Sequence, residues 1–160
     1  MGSLQHRGYF GVGIWHPHHE CNVGTLYRSA LAFGASFIFT VGRKYRRQSS
    51  DTVNSTSHIP YFCFQSGEEL EEGVPNGCRI ICVEITDNAR NLPVFCHPER
   101  SAYLLGNEGS GIPPKFMENK LVVQIPTAQC LNLASAGTVV MYDRVCKQVQ
   151  RDITGGCNGK

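Results

Sequence analysis

An α/β domain built on a mostly parallel six-stranded sheet, with helices on both faces, is the fold class this sequence predicts. Three observations predict it. The apolar runs are strand-length and near-continuous, as in Tyr9–Trp15 and Arg79–Ile85, where a half-exposed strand would alternate. Those runs are separated by helical or polar segments, the pattern of successive crossover units. The 160 residues suffice for one core and show no internal repeat or domain boundary. One domain is expected over 1–150, followed by a Gly- and Asn-rich, flexible tail over 151–160.

Each element has a local reason. Tyr9–Trp15, "YFGVGIW", is the first strand, its glycines tolerated by close packing. Pro17 breaks the loop His16–Cys21, and Asn22 suits the N-cap of a helix over Val23–Phe33, with Gly34 as its C′ residue. Phe37–Val41 is the second strand, closed by Gly42, and Ile59–Phe64 the third. Between them runs a polar stretch that starts with Arg43 and reaches His58. Glu68–Glu72 is an acidic turn or short helix with a solvated face. Arg79–Ile85, Ser101–Leu105 and Leu121–Ile125 are strands four to six, the last closed by Pro126, which cannot donate to a ladder. Asn132–Gln150 is the final helix, opened by the small residues Ala134, Ser135, Ala136, Gly137 and Thr138, beside which a flat ligand or a backbone approaches closely.

Composition narrows the function classes. No apolar run approaches the ~18 residues of a membrane span, and Met1–Gly8 lacks the apolar core of a secretion signal. The eight cysteines are scattered, several inside strand-like runs, which suggests buried reduced thiols and a cytoplasmic setting over a disulfide framework. A net charge of +2 is too small to indicate nucleic-acid binding by itself. Its distribution says more. Arg43-Lys44-Tyr45-Arg46-Arg47 sets four cations around one aromatic, which suits phosphate contact plus base stacking, or else a solvated face.

The glycine-rich loop Leu104–Pro114, "LLGNEGSGIPP", has the glycine separation of a phosphate loop, but Ile112-Pro113 stand where Lys and Ser/Thr would grip phosphate and magnesium. Glu108 would repel a phosphate, so the loop fits a neutral or cationic ligand, or is a tight turn needing positive φ. Arg28 near a helix start opposes the helix dipole, which points to a partner, either a phosphate or a carboxylate such as Glu108. In "HPHHEC" five side chains are possible metal ligands, but no second cluster with zinc spacing exists, and a polar, substrate-facing loop is the better reading. Asn132, beside the last helix start, offers both donors and acceptors.

Three separated motifs, "NVGTLYRSALAFGA", "LLGNEGSGIP" and "VQIPTAQCLNLASAGTVVMYD", resemble in order and spacing the three motifs of the SpoU/TrmH ribose 2′-O-methyltransferases. The resemblance runs from Tyr9 to about Lys147, with the size of the single-domain TrmL-type tRNA enzymes. It implies an α/β knot (SPOUT) fold with a C-terminal deep trefoil, S-adenosylmethionine as cofactor, an RNA substrate (tRNA or rRNA) and a homodimer. By matching positions it implies cofactor contacts at Glu84 or Ile85, Leu105, Gly106, Ile125, Cys130, Leu133 and Ser135. Arg28, Asn22, Glu108 and Asn132 form the implied catalytic set, and Cys130 stands where the family commonly has serine. Because guanidinium stays protonated, Arg28 is expected to bind a phosphate and stabilise the forming alkoxide, with solvent or phosphate taking the proton. The rival readings are a catalytically silent RNA-binding protein that keeps the cofactor pocket, and a nucleotide-binding α/β protein of another kind.

Overall fold

The computed structural model describes residues 8–154; residues 1–7 and 155–160, with Cys157 and most of the expected tail, lie outside the described residues. The strands are β1 (Tyr9–Trp15), β2 (Phe37–Val41), β3 (Tyr61–Phe64), β4 (Arg79–Val83), β5 (Arg90–Asn91), β6 (Arg100–Leu105) and β7 (Leu121–Gln124). The helices are α1 (Glu20–Ala32), α2 (Gly67–Gly73), α3 (Pro114–Met117) and α4 (Leu133–Thr154). All strand pairs are parallel, in the order β3-β2-β1-β6-β4-β7-β5.

Both faces of the sheet are covered, which is why the strands carry apolar residues without alternation. On one face Val12, Ile14 and Ile38 pack with Val23, Leu26 and Ala30 of α1 and with Val140 and Met141 of α4. On the other, Phe37, Phe39 and Val41 meet Leu70 of α2, with Phe116 and Met117 of α3 against them. Gly11 and Gly13 lie under this second layer, where a side chain at either would overlap the rings of Phe37 and Phe39. The glycines of β1 are the space those phenylalanines occupy.

Several boundaries differ from expectation. The sheet has seven strands rather than six, because the two-residue β5 is too short to leave a pattern. α1 begins at Glu20 with His19 as its N-cap, not at Asn22. Ile59 closes a 3-10 turn, and β3 starts only after Pro60. α4 runs on to Thr154, so part of the expected tail is helical. Buried thiols were expected, yet only Cys82 is buried among the described cysteines; Cys21, Cys96 and Cys130 are exposed. No helix among the described residues is long and apolar enough to cross a membrane.

Candidate cofactor and substrate site

The C-terminal ends of β4, β6 and β7 open on a cavity of about 490 Å³. The turn that follows β6 forms one wall. Asn107 Oδ1 accepts from the amides of Gly109 (2.9 Å) and Ser110 (2.8 Å), folding the chain on itself, and Gly111 completes the turn with a φ of +65°. Into this turn reaches Glu84 from the end of β4. Its Oε2 accepts from the Ile112 amide at 3.1 Å and its Oε1 from the Ile85 amide at 3.2 Å. A β-carbon on Gly106 would overlap that carboxylate, and one on Gly111 would stand 2.6 Å from it. Two glycines therefore let one carboxylate fasten the turn to the neighbouring strand.

The opposite wall is the segment after β7. Asn132 caps α4 there, its Oδ1 accepting from the amides of Ala134 (2.9 Å) and Ser135 (3.4 Å). Its Nδ2 donates to Asn22 Oδ1 at 3.1 Å, and Asn22 Nδ2 donates in turn to Glu108 Oε1. A polar chain from Glu108 through Asn22 to Asn132 thus joins three stretches that are far apart in sequence. This explains the early start of α1: the Asn22 amide group spans the site instead of capping its own helix.

Glu84, Ile85, Leu105 and Gly106 line the cavity on the side of β4 and β6, and Ile125, Cys130 and Leu133 on the side of β7. Ser135 does not line it. It is exposed on α4, and the next residue, Ala136, faces the cavity. Glu108 lines the cavity as well, whereas Asn22 and Asn132 reach it through Glu108. Arg28 is exposed on α1 and is not among the lining residues. The carboxylate suggested for it, Glu108, is held by Asn22 instead. Sequence reasoning passed over Asn107, Ile112 and Met117; of these Asn107 carried a readable signal, since Asn two residues before Gly is a common turn former.

The basic run lies after β2 and packs against α1. Arg43, Lys44, Arg46 and Arg47 are exposed, with Arg43 3.9 Å from Glu20. Tyr45, expected to stack on a base, is instead only 6% exposed and offers no face for one. Its ring meets Tyr27 edge-on at 5.2 Å, its amide donates to the Tyr61 hydroxyl at 2.8 Å, and its hydroxyl accepts from the Gln48 amide at 3.2 Å. Burial raises its pKa above the usual tyrosine value. The aromatic in the run anchors the loop to the core, and only the cations face outward. No three His, Cys, Asp or Glu side chains group as a metal site among the described residues.

The description "SpoU rRNA Methylase family" fits residues 10–142. The chain is similar to the mouse tRNA (guanosine(18)-2′-O)-methyltransferase TARBP1, 27% identical over 139 residues that cover 80% of this chain and 9% of that protein. It is similar also to the tRNA (guanosine(18)-2′-O)-methyltransferase of Escherichia coli K12, 23% identical over 133 residues, covering 79% of this chain and 58% of that one. The chain therefore spans just over half of the bacterial relative and a small part of the mouse one. Among solved structures, the AdoMet-bound rRNA methyltransferase of Sinorhizobium meliloti superposes with a TM-score of 0.78 at 23% identity, over 88% of this chain and 57% of that one. That likeness shows a shared fold. With the family's pattern running from β1 into α4, the chain belongs to the SpoU rRNA methylase family.

Proposed function

We propose that this chain is an S-adenosylmethionine-dependent RNA ribose 2′-O-methyltransferase acting on tRNA or rRNA. The observation that carries the reading is that one cavity is walled on one side by the glycine turn and on the other by the segment after β7, the two walls joined by the chain Glu108–Asn22–Asn132. The residues present fit the cofactor. A volume of about 490 Å³ suits a ligand of that size, and Leu105, Ile125 and Leu133 give an apolar surface for its adenine. Cys130 keeps its backbone for the cofactor where a hydroxyl would add a bond, and its thiol is a weaker donor. When bound, the cofactor supplies a methyl group already activated by its sulfonium.

The protein's part is then position and charge. Arg28, exposed and without an ion pair among the described residues, receives a phosphate of the RNA and stabilises the oxygen as it becomes an alkoxide. Glu108, Asn22 and Asn132 hold the two walls at a fixed spacing, so that methyl group and hydroxyl meet in line. The reading includes a homodimer, supported by the exposed apolar side chains Val139, Tyr142 and Ile153 on α4. It includes a C-terminal knot, supported by the way β6 and β7 are each laid beside the earlier strand β4 before α4 returns to α1. Ultracentrifugation of the full chain tests the dimer.

The experiment that tests the function is calorimetry with S-adenosylmethionine, ATP and NAD, followed by mass mapping of methylated nucleosides in RNA treated with the protein. Binding of S-adenosylmethionine alone and a new 2′-O-methyl nucleoside are expected. Binding of ATP or NAD in its place, or cofactor binding with no methylated product, would sink the reading.

A further inference from the structure

We propose that His18 is a catalytic residue of this site, the group that accepts the proton when a ribose 2′-hydroxyl is methylated; the assignment rests on the function proposed above. The loop that carries it is held from both sides. His16 adopts a left-handed φ of 41°, uncommon for a residue with a β-carbon, and its amide donates to Val41 O at 2.8 Å. Its ring covers Gly42, where any side chain would overlap it. Pro17 is buried, and its carbonyl accepts from Arg43 Nη1 at 3.5 Å. Strain of this kind persists where the surroundings over-determine it, and it fixes what comes next in the chain.

What comes next is laid on the glycine turn. His18 stands at the rim of the cavity and not among its lining residues: its Nδ1 and Cε1 lie 3.9 Å from the point a β-carbon on Gly109 would take, one residue from Glu108, which does line it. Of the other polar groups nearby, Glu84 accepts from two backbone amides, Glu108 accepts from Asn22 through Oε1, and Asn132 is held at the start of α4. Arg28 has no lone pair to offer, and a thiol such as Cys130 is a weak acceptor. The His18 ring is exposed and makes no hydrogen bond with a described residue, so its acceptor nitrogen is available. The titratable and charged groups on the elements around it are Glu108 on the turn, His16 on its own loop, His19 and Glu20 at the start of α1, and Arg43 beyond β2.

The step balances without a further reactant. The 2′-hydroxyl proton passes to the imidazole nitrogen while an electron pair of the ribose oxygen forms the bond to the methyl carbon. The carbon–sulfur pair returns to sulfur, which leaves as a neutral thioether, and the imidazolium releases its proton to water.

The test uses His18→Gln and His18→Ala in the full chain, with transcribed, unmodified tRNAs and rRNA fragments and isotope-labelled S-adenosylmethionine. Expected are a fall in kcat of about 10²-fold with little change in KM for RNA, loss of the acid limb of the kcat–pH profile, and partial recovery of His18→Ala by added imidazole. Calorimetric affinity for S-adenosylmethionine should be unchanged. Without any turnover, the imidazole NMR resonance missing from His18→Gln should shift when the RNA is added to the wild-type chain with S-adenosylhomocysteine. Retained kcat with an intact acid limb, a loss confined to KM, or a resonance indifferent to RNA each overturns the role of His18 while leaving the enzyme a methyltransferase. A wild-type chain that methylates none of these RNAs overturns the function itself, and His18's role with it.

Discussion

Gly111 has two independent reasons to be glycine: its φ of +65°, and the Glu84 carboxylate standing 2.6 Å from where a β-carbon would be. Gly111→Ala is therefore expected to cost about 1–3 kcal/mol of stability and to weaken S-adenosylmethionine binding by tenfold or more, read by thermal melts and calorimetry. Glu84→Ala separates the two causes, since it frees the Ile112 amide without straining φ; it should reproduce the loss of affinity. At Arg28 a different chemistry is at stake. A planar guanidinium grips phosphate with two parallel bonds, and lysine offers only a point charge. Arg28→Lys should lower kcat/KM by at least about tenfold, or 1.4 kcal/mol, at unchanged cofactor affinity, and wild-type turnover would exclude guanidinium-specific recognition. The turn itself was legible, because Gly and Asn in "GNEGSG" have strong local preferences. The carboxylate inside it was not, because Glu84 arrives from another strand and no local rule links it to Gly106. Tyr45 misled for a related reason: a basic run looks solvated, and nothing within five residues says that its one aromatic turns inward to Tyr27 and Tyr61.

Elements with a long apolar period were readable, and those defined by a single contact were not. β1 and β2 end where sequence reasoning ends them, because each is a continuous apolar run, closed by the His16-Pro17 loop in one case and by Gly42 in the other. β5 and α3 are two and four residues long, exist by pairing with β7 and packing under Trp15, and leave no periodicity. α4 shows what holds the last element in place. Arg144, 1% exposed, donates from Nη1 to Pro98 O (2.7 Å) and from Nη2 to Glu99 O (2.8 Å), while Lys147 Nζ reaches Leu92 O at 2.6 Å. Beside them His97 is buried between the Tyr103 hydroxyl (2.6 Å) and Asp143 (2.7 Å). Burial outweighs the pull of Asp143 and holds its pKa down at about 4, below the 6.5 of an unfolded chain. The sign follows from which state binds more protons. Between those values the unfolded chain is protonated at this residue and the folded one is not, so stability rises with pH. The contribution, on the order of 3 kcal/mol, is complete above pH 6.5 and is lost as pH falls toward 4. Urea unfolding from pH 7 to 4 should show it, and His97→Asn should flatten that part of the profile.

At the scale of the whole molecule, the site is a convergence that spacing cannot reveal: Asn22 from the first turn of α1 and Glu84, Glu108 and Asn132 from three loops meet at one end of the sheet. Only the order of three motifs made it visible in the sequence, and that order carries no information on which side chains touch. Charge behaves in the same way. A net +2 hides four exposed cations gathered in one loop, on the same end of the sheet as the cavity. None of Arg43, Lys44, Arg46 and Arg47 lines that cavity, so RNA attraction and cofactor binding are separable. Replacing the four by glutamine, with Tyr45 kept because the core depends on it, should weaken RNA binding while S-adenosylmethionine affinity holds. Each phosphate contact on a single strand contributes about 0.7 to the slope of log K against log salt, so the slope should become shallower by as much as about 3. Filter binding across 50 to 300 mM salt, roughly the range over which screening acts at these distances, measures it. An unchanged slope would mean that the four cations face only water and that RNA docks on another part of the rim.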